Sequence, residues 1–572
     1  MNRVVCLACL AVFATSARAE TIVVRNIQGY TPAGAAIQQF AGMVVVDGKV
    51  QRLLISAAEV GAATGDTVID GGGRTALPGL IDAHGHVLSL GQRRLQADLR
   101  DSPSVTEALA RVSTFAAANP RDPWVMGRGW NQALWADKQF PTAKDLDGIV
   151  SDRPAALTRV DGHALWVNSK ALQIAGITRD TADPQGGQIV RDATGAATGV
   201  LVDNATNLVE KHFPKPSDDD IKRALVAAMG ELTSLGMTGV HDAGIDPHEY
   251  QLYQQLGTAG QLPMRVYAML ADSKQARAVI AAGPKPAQFG EKLQMRSVKA
   301  WIDGALGSRG AALQADYSDE PHHRGLMLYT VQEIQQLATL TASKGWQLNV
   351  HAIGDAGNHV VLDTFESKMT AVQRKALRPR IEHAQVIALD DIPRFGSLGV
   401  IASIQPTHAT SDMNMAEDRV GPQRIKGAYA WRTLIKSGAR LAGGSDFPVE
   451  LPNPFLGLYS AVTRQDRDGK PPGGWYPEQK LTREEALRLF TIDAAYAAHM
   501  ENVVGSLEPG KWADFILIDR DYFHVPESEI DDIAVKATYV AGKRVAAPQR
   551  ERSGPALALT RVASIYNDTP NH

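Results

Sequence analysis

Residues 78–86 of this 572-residue chain read PGLIDAHGH, a short apolar run that ends in two histidines separated by one glycine. Successive side chains of a β-strand point to opposite faces, so His84 and His86, two apart, face the same way and can grip one ion. Alone the spacing is weak, because 15 histidines in a chain of this length produce such pairs by chance or on a surface. The partners downstream decide between those readings.

Apolar strand-like runs alternate with alanine- and leucine-rich helical stretches through the middle of the chain. Residues 224–235 lead into 237–240, and 331–344 into 347–350. Such alternation favours parallel βα units, and a series of eight that closes is an α/β fold of the (β/α)8 TIM barrel type. Barrel units average roughly 31 residues, so three of them fill less than half of the span from His84 to Lys299. A large insertion after strand 1, between about 95 and 220, is therefore expected over the barrel mouth. Trp124, Trp130, Trp135 and Trp166 fall within it. They would form either an aromatic lid for an apolar or ring-bearing substituent or the insertion's own small core.

The two ends of the chain share another texture. Residues 20–77 and 501–547 carry short β-rich pieces broken by glycines and by Asp47-Gly48. They are expected to pair as one small β-sandwich domain flanking a barrel over 78–500, with a polar tail at 548–572. Residues 1–19 carry Arg3, an apolar run over 4–14 and Ala17-Arg18-Ala19, the pattern of a cleaved secretory signal peptide, which implies a periplasmic or secreted protein. Both cysteines, Cys6 and Cys9, lie inside that leader, so the mature chain has no disulfide and no thiolate ligand. A formal net charge of −3 with both signs scattered argues against nucleic acid or an anionic membrane as partner and leaves a small-molecule substrate.

Polar residues recur at the ends of the apolar runs: Lys299 in SVKAWIDGALGSRGA, His351 in WQLNVHAIGD, His383 in RIEHAQV and Asp446 in LAGGSDFPVE. Barrels display their chemistry at the carboxyl ends of strands. With one further strand at 399–405, the polar residues fall on strands 1, 4, 5, 6 and 8. Asp82, just ahead of the histidine pair, is given no ligand role and is expected to orient its neighbours. His163, Asp303, Arg309 and His408 are candidates for substrate contact, balanced against loop capping or surface solvation.

This order of motifs resembles the amidohydrolase superfamily, most closely the branch related to N-substituted formamide deformylases. PGLIDAHGH, VKAWIDGALGSRGAAL, HAIGD, IEHAQ, GSDFPVE and GSLEPGKWADFILID stand in family order across nearly the whole mature chain. The resemblance implies two divalent metal ions, one held by His84, His86 and Asp446 and the other by His351 and His383. It also implies that Lys299, carboxylated by carbon dioxide, bridges them as an anionic carbamate, where an ordinary ammonium would be repelled. Imidazole and carboxylate ligands without sulfur make zinc the default, and manganese, iron or nickel would fit as well. Asp446 would be the catalytic residue, taking a proton from the attacking hydroxide's parent water and passing it to the leaving amine. The implied activity is metal-dependent hydrolysis of a non-peptide C–N bond in an N-substituted amide, a formamide or a cyclic amide, by a homodimer as in similar enzymes. A mononuclear deaminase of a ring amidine is the alternative, since it needs no bridging carbamate. A non-catalytic regulatory or binding member of the same fold is another, although such a member would be expected to lack a ligand.

Overall fold

Eight strands run parallel and in chain order around one axis: β1 (Leu80–Gly85), β2 (Met237–Ile245), β3 (Arg265–Ala271), β4 (Leu293–Trp301), β5 (Gln347–Ala352), β6 (Arg380–His383), β7 (Ile401–Ile404) and β8 (Arg440–Gly443). The ladder nearly closes between β1 and the residues after β8, where Asp446 N donates to His84 O at 2.7 Å and His86 N to Phe447 O at 2.8 Å. This is a computed structural model that describes residues 19–160 and 162–545. The expected signal peptide, apart from Ala19, and the expected tail lie outside the described residues.

The strands are buried on both faces, as parallel strands covered by helices must be. The helices dock through apolar stripes at helical spacing. Helix α1 (Val331–Lys344) buries Ile334, Leu337, Ala338 and Thr341; a capping box between Thr330 and Glu333 starts it, and Gly345 at φ 80° ends it. It is followed by β5, which carries His351, and then by α2 (Asp355–Lys368).

The chain between β1 and β2 builds a six-stranded sheet of its own over residues 97–203. Trp124, Trp130, Trp135 and Trp166 are all buried in its cores, at 7% exposure or less. Trp130, Trp135 and Trp166 donate their indole N–H groups to the carbonyls of Leu157, Ser102 and Thr142. Rings so enclosed present no face to a substrate, so the aromatic-lid expectation gives way to the core reading: the apolar bodies are covered and the polar edges satisfied.

Strands from both ends of the chain hydrogen-bond as one continuous eight-stranded sheet rather than as two separate ones. Thr21–Ala33 pairs with three neighbours, and its register to Thr67–Pro78 shifts between Arg25 and Ile27, where Asn26 adopts φ 54°. This unit is joined to the barrel by a buried ion pair, with Arg265 Nε 2.7 Å from Asp514 Oδ2. Among the described residues no helix is long and apolar enough to cross a membrane.

Candidate metal centre

β1, β4, β5, β6 and the turn after β8 deliver His84, His86, Lys299, His351, His383 and Asp446 to the carboxyl end of the barrel. Two of these side chains are aimed by unusual backbone. His383 has φ 74° and Asp446 φ 58°, left-handed conformations that cost a non-glycine residue energy and persist where surrounding structure enforces them. The turn after β8 also needs glycine, because a Cβ on Gly444 would lie 2.5 Å from His84 N.

The side chains meet closely. His86 Nε2 lies 3.1 Å from Asp446 Oδ1, His84 Nε2 3.6 Å from the same oxygen, and Lys299 Nζ 3.2 Å from His84 Nε2. The rings of His84 and His351 stand 4.9 and 4.5 Å from that of His383. His84, His383 and Asp446 each offer a ligand atom within 4.8 Å of the others. His351 Nε2 is buried without a hydrogen bond. Buried polar atoms seldom go unpaired, and this mix of imidazole nitrogens and carboxylate oxygen is what a divalent ion requires. The residues present therefore fit a metal.

Burial keeps the imidazoles neutral, the form that binds metal: it lowers His84 to about 4 and His351 to about 3, with the Lys299 charge as the next cause for both, and puts His383 well below its usual range. Burial also lowers the Lys299 amine to about 8. For Asp446, burial pushes upward, but the neighbouring His86 and His84 outweigh it and hold the carboxyl well below the usual range.

The family model for amidohydrolases matches residues 67–546. The chain belongs to the amidohydrolase family. It is 32% identical over 478 residues to a putative amidohydrolase, YtcJ, of Bacillus subtilis (strain 168), covering 83% of this chain and 89% of that protein. It is 28% identical to an N-substituted formamide deformylase of Arthrobacter pascens, covering 88% and 94%. A crystal structure of an uncharacterized metal-dependent hydrolase from Pyrococcus furiosus matches with a TM-score of 0.72 at 28% identity, over 88% of this chain and 100% of that one.

Other expected site residues of this amidohydrolase are placed differently from one another. His408, on α3 (Pro406–Asp412), stacks on His383 with ring centroids 5.9 Å apart, and its Nε2 lies 3.8 Å from Asp446 Oδ2. Asp303 is buried beneath the mouth, 3.5 Å from His351 Nε2, and accepts the backbone N–H groups of Ala312, Ile353 and Gly354. Burial pushes its carboxyl up to about 7 against those donors. Arg309 pairs with Asp319 at 3.0 Å and Glu320 at 3.1 Å, stitching together the loop that follows β4. His163 is exposed in the six-stranded unit, 2.8 Å from Asp203. The Asp82 carboxylate accepts from His84 N, Ser445 N and Ser445 Oγ, fastening β1, which carries His84, to the turn that carries Asp446.

Sequence reasoning missed Glu382, Arg380 and Gln405. Glu382 Oε2 lies 2.5 Å from His84 Nδ1, Arg380 holds Glu382, and Gln405 Oε1 lies 2.7 Å from His383 Nδ1. The signal for the first two was present in RIEH: an arginine and an acid two apart share one face of a buried strand.

Proposed function

We propose that this amidohydrolase is a dinuclear metal enzyme that hydrolyses a non-peptide C–N bond, with an N-substituted amide, formamide or cyclic amide as substrate. The observation that carries the reading is Lys299, wholly buried and 3.2 Å from His84 among the ligands. An ammonium there would oppose a bound cation, whereas a carbamate would supply two anionic oxygens. With the amine lowered to about 8, an appreciable neutral fraction exists near neutral pH. The neutral nitrogen attacks carbon dioxide, the N–C bond forms, and one N–H proton leaves to give the carbamate anion.

His84, His86 and Asp446 would hold one ion and His351 and His383 the other, with zinc the first metal to test. Bound there, divalent ions acidify water and polarise the carbonyl beside it. Asp446 accepts the water's proton and returns it to the departing amine, which leaves an acid and an amine as products. His408, whose Nε2 lies 3.8 Å from Asp446 Oδ2, would contact the substrate. The leader at residues 1–19 supports a periplasmic or secreted location.

The test is a panel of N-substituted formamides, amides and cyclic amides, scored for amine release by metal-loaded protein. Turnover should appear in at least one of these classes and fall by about 10²–10⁴-fold in Asp446→Asn. Absence of amine release across the panel, or wild-type rates in the variant, would overturn the proposal.

A further inference from the structure

Below the ligands, the interior of the barrel is polar, and one side chain ties it together. Arg380 is fully buried. Its Nη2 donates to Ala83 O at 2.8 Å, Glu382 Oε2 at 3.0 Å and Ser403 Oγ at 3.0 Å, its Nη1 lies 2.9 Å from His241 Nδ1, and its Nε is 2.8 Å from Glu382 Oε1. It thereby joins β1, β2, β6 and β7 at one level. Glu382, also fully buried, accepts from Arg380 at Oε2, has Oε1 in ion-pair range of Arg380 Nε, and meets His84 Nδ1 at 2.5 Å through Oε2.

A carboxylate can only accept, so this contact requires the proton of His84 to be on Nδ1. Nε2 is then a lone-pair acceptor, which agrees with Lys299 Nζ approaching it at 3.2 Å. The carboxylate thus selects the tautomer and the ring angle that direct Nε2 at the ligand cluster. It also increases the basicity of that nitrogen, as acidic partners of metal-binding histidines generally do. His383, by contrast, rests on the neutral Gln405 side chain.

We infer that Glu382, clamped by Arg380, is the positioning residue that fixes His84 as a metal ligand. The inference rests on the metal-centre reading proposed above. Its test is zinc affinity, measured by competition with a chelator on the full chain, beside the melting temperature of the metal-free protein. Glu382→Gln should keep the fold and lose about 10–100-fold in zinc affinity. Tyr267→Phe is the control: it removes a hydroxyl that donates to Gln347 in the same barrel interior, and should lower the melting temperature while leaving zinc affinity unchanged. Zinc affinity of Glu382→Gln within about threefold of wild type would overturn the inference, as would an equal loss in Tyr267→Phe, which would mark general loosening of the barrel. If Glu382→Gln fails to fold because the Arg380 cation is left unpaired, the paired change R380M/E382Q removes that charge and is subject to the same criteria. A wild-type chain that binds no zinc contradicts the metal-centre reading itself, a result distinct from a variant that binds as wild type does.

Discussion

At the scale of single residues, the site depends on imidazoles kept neutral by burial, and the same physics applies far from it. His499 is lowered to about 3 by burial, with Arg296 and Arg378 reinforcing the effect, and its Nε2 is buried without a hydrogen bond. The unfolded chain binds a proton there near the ordinary value of 6.5, whereas the folded chain resists it. Stability is therefore fully present above about pH 6.5 and is lost progressively as pH falls from there toward about 3. His499→Asn, in which the asparagine tolerates the left-handed φ of 59°, should show a smaller drop in melting temperature on going from neutral to mildly acidic buffer. Equal drops in variant and parent would contradict this assignment. Lys299 makes the other residue-scale prediction. Metal reconstitution in buffer stripped of carbon dioxide should give protein of low activity that recovers on adding bicarbonate, and full activity without bicarbonate would remove the carbamate from the account.

At the scale of elements, the centre is a meeting of strand ends with the turn after β8, held together by close backbone packing. The turn after β8 passes so close to β1 that a Cβ on Gly444 would stand 2.5 Å from His84 N and 2.6 Å from Asp82 Oδ1. Gly444→Ala should cost about 1–3 kcal/mol through this overpacking and weaken metal binding by moving Asp446; melting and metal titration together check it, and unchanged metal binding would contradict it. This scale also separates what could be read from the sequence from what could not. The apolar runs ending in His84, Lys299, His351, His383 and Asp446 were legible because strand periodicity and barrel geometry are local rules. Glu382 under His84 was not, because the contact spans 298 residues of chain and depends on how β1 and β6 face each other across the barrel. Arg309, a candidate for substrate contact, is engaged by Asp319 and Glu320, close in the same loop, pairs that its sequence position alone did not reveal. The tryptophans of residues 97–203 advertised a lid by composition alone; only the pairing of that sheet shows that their rings are enclosed.

At the scale of the whole molecule, the barrel and the sheet made from both chain ends are coupled through the buried Arg265–Asp514 pair, in which Asp514 Oδ1 also accepts from Ala541 N. Removing one partner leaves a buried charge uncompensated, so Asp514→Ala should lose about 3–5 kcal/mol of stability in denaturant unfolding; a loss below about 1 kcal/mol, the range of exposed pairs, would contradict the coupling. The central proposal, two metal ions held by His84, His86, Asp446, His351 and His383 with a carbamate on Lys299, concerns the composition of the intact protein and is best measured there. Metal content per chain should be determined by elemental analysis on protein purified without chelators, with intact mass recorded under gentle conditions. The expected result is close to two metal ions per chain together with the mass of one added carbon dioxide, absent from Lys299→Ala. One ion or none on an unmodified chain would contradict the account.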